Sequence, residues 1–330
     1  MIRRIKRWLS RKYIKRVVLA LSRLTAFSLN RYMPDNTAYG IFSEYGFHLL
    51  RKHYYLPIPD ENDLGEAFWE ERSQLVGLEM NDSETLNLLE NVFPTYMEEF
   101  RARFPIHPPS DSAQFHLING TFMAIDAHVY YSFIRHFTPK RIIEIGAGQS
   151  TLLAAATIQE QEMRDVTHLT AIEPFPTPLL KKGVPGLSRL VEDKIQNVGL
   201  DLFASLESGD ILFIDSTHVL RAGGDVQREY CEILPRLAPG VLVHIHDISL
   251  PKHYPRVYFE DNHYYWNEQY LLQAFLAFNS KFEVLWPGNY MMLKYPERMC
   301  AVFPEYHTMR KFFPMSEPAS FWIRVKSPQT

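Results

Sequence analysis

Apolar positions in the central and C-terminal parts of the chain form short runs of the length expected for buried strands. These runs cover residues 142–145, 168–172, 209–215, 241–248, 282–286 and 321–325. Stretches with helical spacing lie between them, at residues 152–157, 225–237 and 267–279. Strands that alternate with helices predict an α/β fold with a largely parallel sheet.

The first strand runs into a glycine turn. Gly146 and Gly148 interrupt the apolar run after Glu144, and a helix that includes Ser150 follows. A strand, a glycine turn and a helix start let backbone N–H groups approach a ligand. A dinucleotide loop places a third glycine where this chain has Thr151, and Glu144 would repel a diphosphate but attract a cation. Glu144, Gly146, Gly148 and Ser150 are therefore candidate cofactor-binding residues.

Glu173 ends the second predicted strand, 25 residues beyond Gly148. In Rossmann-like sheets an acid at this point accepts hydrogen bonds from both ribose hydroxyls of a nucleoside cofactor. The position predicts a ribose contact, and the alternative is a solvated loop glutamate.

Two later strands also end in acids. Asp215 follows an apolar run, with His218 three residues later, and His246 and Asp247 end the next parallel strand. Open α/β sheets bind ligands at the carboxyl ends of their strands. Asp247 could instead cap backbone amides, and His218 could instead stabilise its turn.

The glycine turn resembles motif I of class I S-adenosylmethionine (SAM) methyltransferases. The order strand-Asp-x-x-His, helix, Leu-x-Pro-Gly and strand-His-Asp resembles the branch with macrolide-sugar O-methyltransferases and cephalosporin-hydroxylase-like proteins, over residues 117–290. The resemblance implies a Rossmann-like α/β sheet of seven strands, the last antiparallel, with an N-terminal helical extension. It also implies SAM as cofactor, with Asp215 among its contacts.

A metal site and a base follow from the same resemblance. It implies Asp215 and Asp247 as ligands of Mg²⁺ or another divalent ion, and His218 as the base that deprotonates an acceptor hydroxyl. His246 stands where the family more often has Glu, and imidazole suits transition metals better than Mg²⁺. The departure leaves both the identity and the presence of the metal open. His246 could instead face the helix layer, because His244 and His246 lie on the same side of the strand.

The charge is unevenly distributed along the chain. Residues 1–34 carry ten Lys or Arg and no acid, while the other 296 hold 25 basic and 38 acidic residues. Apolar residues recur at helical spacing from Ile2 to Leu24, with basic residues mainly opposite. A basic amphipathic helix is typical of membrane-surface segments, and residues 1–31 predict contact with an anionic membrane. The alternative is packing on the acidic remainder of the chain, which itself disfavours nucleic-acid binding.

The predicted organisation has three parts. Residues 1–34 form the basic helix, 35–116 a helical extension with a helix over 83–104 bent near Pro94, and 117–330 the SAM-binding domain, opened by a helix over 117–137. The segment 249–266 has no periodicity and predicts an active-site lid. Cys231 and Cys300 form no close pair, which favours a reducing, cytoplasmic location, with peripheral membrane attachment left open.

The sequence thus predicts a SAM-dependent methyltransferase that methylates a hydroxyl of a sugar or another hydroxylated metabolite. The alternatives are a member of the same fold that is non-catalytic or catalyses a different reaction, and an NAD-dependent oxidoreductase. The acceptor and the oligomeric state do not follow from the sequence.

Overall fold

The computed structural model describes residues 2–32, 36–109, 114–159 and 163–327. The chain divides into two compact units, Met1–Glu61 and Asn62–Thr330. Residues 62–116 fall in the same unit as residues 117–330, and the boundary between residues 116 and 117 stays a prediction. The other predicted boundary, at residues 34 and 35, lies outside the described residues.

The first unit contains the basic helix. Helix α1 covers Ile2–Tyr32, which confirms the helix predicted there, and α2 covers Asn36–Glu44. Between residues 11 and 31, almost every side chain of α1 is exposed, the apolar ones included. Among the described residues, none of the helices combines the length and the apolar character needed to cross a bilayer.

The second unit contains the remaining helices, which flank and connect the strands. They are α3 (Glu66–Glu70), α4 (Asp82–Asn87), α5 (Pro94–Arg103), α6 (Asp126–Phe137), α7 (Gln149–Ile158), α8 (Pro178–Lys182), α9 (Leu200–Ala204), α10 (Asp225–Arg228), α11 (Arg256–Glu260), α12 (Glu268–Leu276), α13 (Gly288–Lys294), α14 (Pro296–Val302) and α15 (Glu305–Phe312). Wider π-helical turns follow α4 at Leu88–Val92 and α10 at Glu229–Ile233.

Seven strands of the described residues form one sheet. They are β1 (Arg141–Ile145), β2 (His168–Ile172), β3 (Leu187–Val191), β4 (Ile211–Ile214), β5 (Leu242–Ile245), β6 (Phe282–Pro287) and β7 (Phe321–Val325). The spatial order is β3-β2-β1-β4-β5-β7-β6. The pairs from β3 to β5 are parallel, and β7 runs antiparallel between β5 and β6. The predicted Rossmann-like sheet, with its antiparallel last strand, is confirmed.

Alternate residues of each strand enter two separate hydrophobic cores. Ile142, Phe213 and Leu242 pack with helices α5, α6 and α7 on one face. Ile143, Leu212 and Val243 pack on the other face, against the segments that contain α9, α10 and α12. Because side chains alternate along a strand, the polar residues two positions from Ile142 in β1 and two or four positions from Leu242 along β5 also face the α6 layer. Glu144, His244 and His246 are on that face.

Several predicted elements differ from the structure in extent. The helix predicted over 117–137 begins only at Asp126, since the preceding residues form turns. The segment 83–104 is interrupted before Pro94, as expected, because proline cannot donate to the preceding turn. Strand β3 and helices α13 to α15 were not located from the sequence. The segment 249–266 is largely irregular but contains α11.

Candidate functional site

The loop after β1 is fixed by close backbone contacts. Gly146 has φ +87°, and a Cβ at this position would lie 2.0 Å from the carbonyl oxygen of Asp215. Only glycine therefore fits without displacing the end of β4. The hydroxyl of Thr151 accepts a hydrogen bond from the N–H of Gly148 at 3.0 Å. Thr151 thus caps the loop at the point where a dinucleotide fold would have its third glycine.

Glu144 lies beneath this loop and is fully buried. It accepts a hydrogen bond from the Tyr130 hydroxyl at 3.0 Å, and its Oε2 has no hydrogen-bond partner among the described residues. Burial raises the pKa of Glu144 to about 7, although hydrogen bonds to neighbouring hydroxyls oppose the rise. Ser150, in the first turn of α7, is buried close to this carboxyl group.

A cavity of about 280 Å³ opens where β1, β2 and β4 end. We call it the strand-end cavity, and its lining includes Gly146, Glu173 and Asp215. Glu173 accepts hydrogen bonds from the N–H groups of Ala147 (3.2 Å) and Phe175 (2.8 Å), so its carboxylate is held at the rim. Glu144, Gly148 and Ser150 do not line this cavity.

Asp215 and Asp247 form a carboxylate pair at the ends of two adjacent strands. Ile214 of β4 pairs with Ile245 of β5, so the residues that follow emerge side by side. The side chains of Asp215 and Asp247 are 34% and 25% exposed, enough to meet a ligand. Asp247 has φ +55°, a left-handed backbone conformation that is uncommon outside glycine.

His218 is buried and faces the carboxylate pair. Its Nε2 lies 3.3 Å from Oδ1 of Asp215 and 3.3 Å from Oδ2 of Asp247. Its Nδ1 lies 2.8 Å from Oε2 of Glu268. Burial lowers the pKa of His218, but the hydrogen bonds to Asp215 and Glu268 outweigh burial and raise it well above its usual value.

His246 approaches the same pair from the α6 layer. Its Nδ1 is 3.7 Å from an oxygen of each carboxylate, and its Nε2 is 3.5 Å from Asp126 at the start of α6. Neither ring nitrogen makes a hydrogen bond with a described residue, although the side chain is buried. The sequence left two positions open for His246, at the metal site or facing the helix layer. The structure combines them, because the ring faces the α6 layer and also borders both carboxylates.

The charges of the two carboxylates and the two imidazoles shift one another's pKa values. Burial by itself raises the pKa of Asp215, but the neighbouring imidazoles of His246 and His218 hold it well below its ordinary value. Each imidazole also has a second carboxylate behind it, Glu268 behind His218 and Asp126 behind His246.

The donor atoms of Asp215, His246 and Asp247 all lie within 4.8 Å of one another, close enough to bind one ion. Two carboxylate oxygens and an imidazole nitrogen are suitable ligands for a divalent transition metal, and the unbonded His246 nitrogens provide that donor. The residues therefore fit the divalent ion that the sequence predicts, and the donor set is less suited to Mg²⁺.

A second cavity of about 290 Å³ lies on the far side of the carboxylate pair. We call it the loop cavity, because much of the segment 249–258 lines it. Its wall includes Asp126, His246 and Asp247, and the aromatic side chains of Trp69 and Tyr258. The carboxylate pair therefore borders both cavities, with Asp215 on one and Asp247 on the other.

Sequence reasoning missed several residues of this site. Glu268 and Asp126 are far from the strand ends along the chain and reach the histidines only through the packing of α12 and α6. Trp69, which lines the loop cavity, comes from the N-terminal extension. The spacing of residues along the chain gives no sign of these contacts.

Comparison with known proteins points to one family. A family model described as a methyltransferase domain matches residues 143–248. An uncharacterised protein of Archaeoglobus fulgidus is 30% identical over 167 residues, which cover 48% of this chain and 74% of that protein.

Solved structures give weaker similarities. A methyltransferase of Podospora anserina with bound SAH is 17% identical, covers 72% of this chain and 88% of its own, and has a TM-score of 0.39. An O-methyltransferase of Bacillus cereus in complex with SAH is 12% identical, covers 75% and 98%, and has a TM-score of 0.33.

The two loop glycines should differ in their tolerance of a side chain. Gly146→Ala should lower the free energy of unfolding by about 2 kcal/mol or more, because its Cβ meets a carbonyl oxygen at positive φ. Gly148→Ala is the matched control, since no atom lies within 4 Å of its Cβ position. Urea unfolding of both variants measures the difference, and equal stabilities would contradict the loop geometry described here.

Proposed function

Since the chain belongs to the class I SAM-dependent methyltransferase family, we propose that it transfers the methyl group of SAM to a hydroxyl oxygen of a small polyhydroxylated acceptor, such as a sugar. In this proposal SAM lies in the strand-end cavity with its ribose on Glu173, and its amino-acid end extends out of the cavity past Gly146 towards Glu144 and Gly148. The acceptor lies in the loop cavity.

One observation carries the proposal. The two cavities border the same carboxylate pair, and the buried imidazole of His218 lies 3.3 Å from both carboxylates. Methyl transfer to an alcohol is an in-line displacement, so the protein must align two molecules and remove one proton. His218 lines neither cavity, but it contacts Asp215 in the wall of one and Asp247 in the wall of the other, so a potential base lies behind the carboxylates that the two molecules would meet.

His218 is proposed as the group that takes the proton of the acceptor hydroxyl, through Nε2. A base must be uncharged before it accepts a proton, whereas the hydrogen-bonded carboxylates raise the pKa of His218. A divalent ion held by Asp215, His246 and Asp247 would lower the pKa of a hydroxyl bound to it and offset the charge of these carboxylates. The residues around His218 then hold its imidazole in place and orient the ring.

The chemistry of the loop cavity supports a neutral, hydroxylated acceptor. Its basic residues already have partners, since Lys252 pairs with Glu317 and Arg256 pairs with acidic neighbours. By contrast, Oδ1 of Asn289 and Nε2 of His253 have no hydrogen-bond partner among the described residues. Hydroxyl groups can satisfy such atoms, and the faces of Trp69 and Tyr258 suit a sugar ring.

Helix α1 supports a second proposal, contact with an anionic membrane surface. Ile14, Val17, Leu21 and Leu24 recur at helical spacing and are 42–62% exposed. Lys15, Arg16 and Arg23 lie mainly on the other side of the helix. An apolar face beside basic side chains matches the interface of a bilayer with acidic headgroups.

The ribose contact predicts a specific loss of cofactor affinity. Glu173→Ala should weaken SAM binding by roughly 10- to 100-fold, because charge-assisted hydrogen bonds are each worth about 1.5–3 kcal/mol. Glu192→Ala is the matched control, since Glu192 follows the neighbouring strand β3 but does not line the cavity. Calorimetric titration with SAM measures both, and an unchanged affinity in Glu173→Ala would remove the assignment.

Chelation and His218→Ala should separate binding from chemistry. Chelation should abolish turnover but spare SAM affinity, and His218→Ala should lower kcat by roughly 10²- to 10⁴-fold with SAM affinity unchanged. The control is His168→Ala, an exposed histidine at the opposite end of β2.

These experiments also address the alternatives. Activity that resists chelation would exclude the metal and leave His218 as a metal-free base. Full activity in His218→Ala would refute the mechanism. SAM binding without turnover on any hydroxylated acceptor would favour a non-catalytic member of the fold.

The membrane proposal predicts salt-sensitive binding to acidic vesicles. The full chain should sediment with vesicles that contain phosphatidylserine at low salt and less so at high salt, because salt screens the basic side chains. Leu21→Asp should weaken this binding, whereas Leu19→Asp is the control, since Leu19 lies away from the apolar face. Indifference of the full chain to these vesicles at low salt would reject the proposal.

A further inference from the structure

Helix α12 begins directly against the histidine of the site. The carboxylate of Glu268, the first residue of α12, lies 2.8 Å from Nδ1 of His218 and is fully buried. Its other oxygen accepts a hydrogen bond from the hydroxyl of Tyr230 at 3.1 Å. Two donors therefore fix the orientation of this carboxylate, which lies some 50 residues beyond His218 along the chain.

The backbone binds the same two segments together. The carbonyl oxygen of His218 accepts hydrogen bonds from the N–H groups of Asn267 (3.0 Å) and Glu268 (3.1 Å). The side chain of Asn267 accepts another from the N–H of Leu220 at 2.6 Å. His218 has φ +59°, a conformation that persists only where surrounding contacts hold it. The start of α12 supplies those contacts.

The aromatic neighbour completes the arrangement. The ring of Trp266 lies 4.4 Å from the imidazole of His218, centroid to centroid. Residues 266–268 thus contact His218 at its ring face, its backbone oxygen and its Nδ1. The remaining nitrogen, Nε2, is directed at the carboxylate pair.

We propose that Glu268 is a positioning residue that acts through His218: its carboxylate accepts a hydrogen bond from Nδ1–H and so leaves Nε2 as the atom that exchanges a proton with the acceptor. The catalytic part of this inference, the proton exchange with the acceptor, rests on the proposed function. A histidine nitrogen is assigned to its task by the hydrogen bond that the other nitrogen makes. The same carboxylate stabilises the imidazolium that forms when Nε2 takes the proton.

A double-mutant cycle tests whether Glu268 acts through His218. Glu268→Gln keeps the size of the side chain but can present an amide donor to Nδ1, so kcat should fall roughly 10²-fold or more with SAM affinity unchanged. In a His218→Ala background the same substitution should cause no further loss, because the residue it acts through is gone. Losses that multiply in the double variant would overturn the proposal.

Glu229→Gln is the matched control. Glu229 is also fully buried and follows α10 in the same layer, but it accepts its hydrogen bond from the hydroxyl of Ser216 and makes none with His218. Burial and the nearby Glu268 raise the pKa of Glu229 well above the usual value, and glutamine keeps the size and shape of its side chain. Its kcat should match that of the unsubstituted protein, and a loss equal to that of Glu268→Gln would indicate a general packing effect and overturn the proposal.

Proton NMR gives a readout that does not depend on turnover. The Nδ1 proton of His218 should give a strongly downfield resonance, absent in His218→Ala and shifted upfield in Glu268→Gln. If the protein transfers no methyl group but shows this pattern, the proposed function fails while the Glu268–His218 hydrogen bond is confirmed. If methyl transfer occurs and Glu268→Gln leaves both kcat and the resonance unchanged, the positioning role fails alone.

Discussion

The site depends on the parallel register between β4 and β5. Because Ile214 pairs with Ile245, the residues that follow leave the sheet together, and Asp215 and Asp247 come to share one small region. Two carboxylates so close repel each other unless positive charge lies between or beside them. The carboxylate pair therefore needs compensating charge close by.

The structure meets that need with two buried imidazoles. His218 and His246 approach the carboxylate pair from different layers, and each has a further carboxylate behind it. Removing one partner from a buried ion pair commonly costs about 3–5 kcal/mol, because the other charge stays buried. Such a network of buried charges is costly in free energy to assemble. It also makes the proton affinity of each group sensitive to any cation that enters the site.

The two faces of the sheet contribute differently. The α6 layer supplies Asp126 and the buried Tyr130–Glu144 contact beneath the glycine loop. The α12 layer supplies Glu268 and the backbone hydrogen bonds that hold His218 in its left-handed conformation. The proposed base thus depends on a helix that follows β5, and the loop cavity depends on residues from the N-terminal extension such as Trp69.

The local pattern of the chain is enough to predict the sheet and the acids at its edge. Short apolar runs that end in Glu173, Asp215 and Asp247 predict parallel strands with ligands at one edge, since period and position are local properties. Strand β3 was missed because its side chains are only partly buried and lack a continuous apolar pattern. The groups that face the histidines could not be predicted in this way, because Glu268 and Asp126 reach them through the packing of α12 and α6. The spacing of residues along the chain gives no sign of that packing.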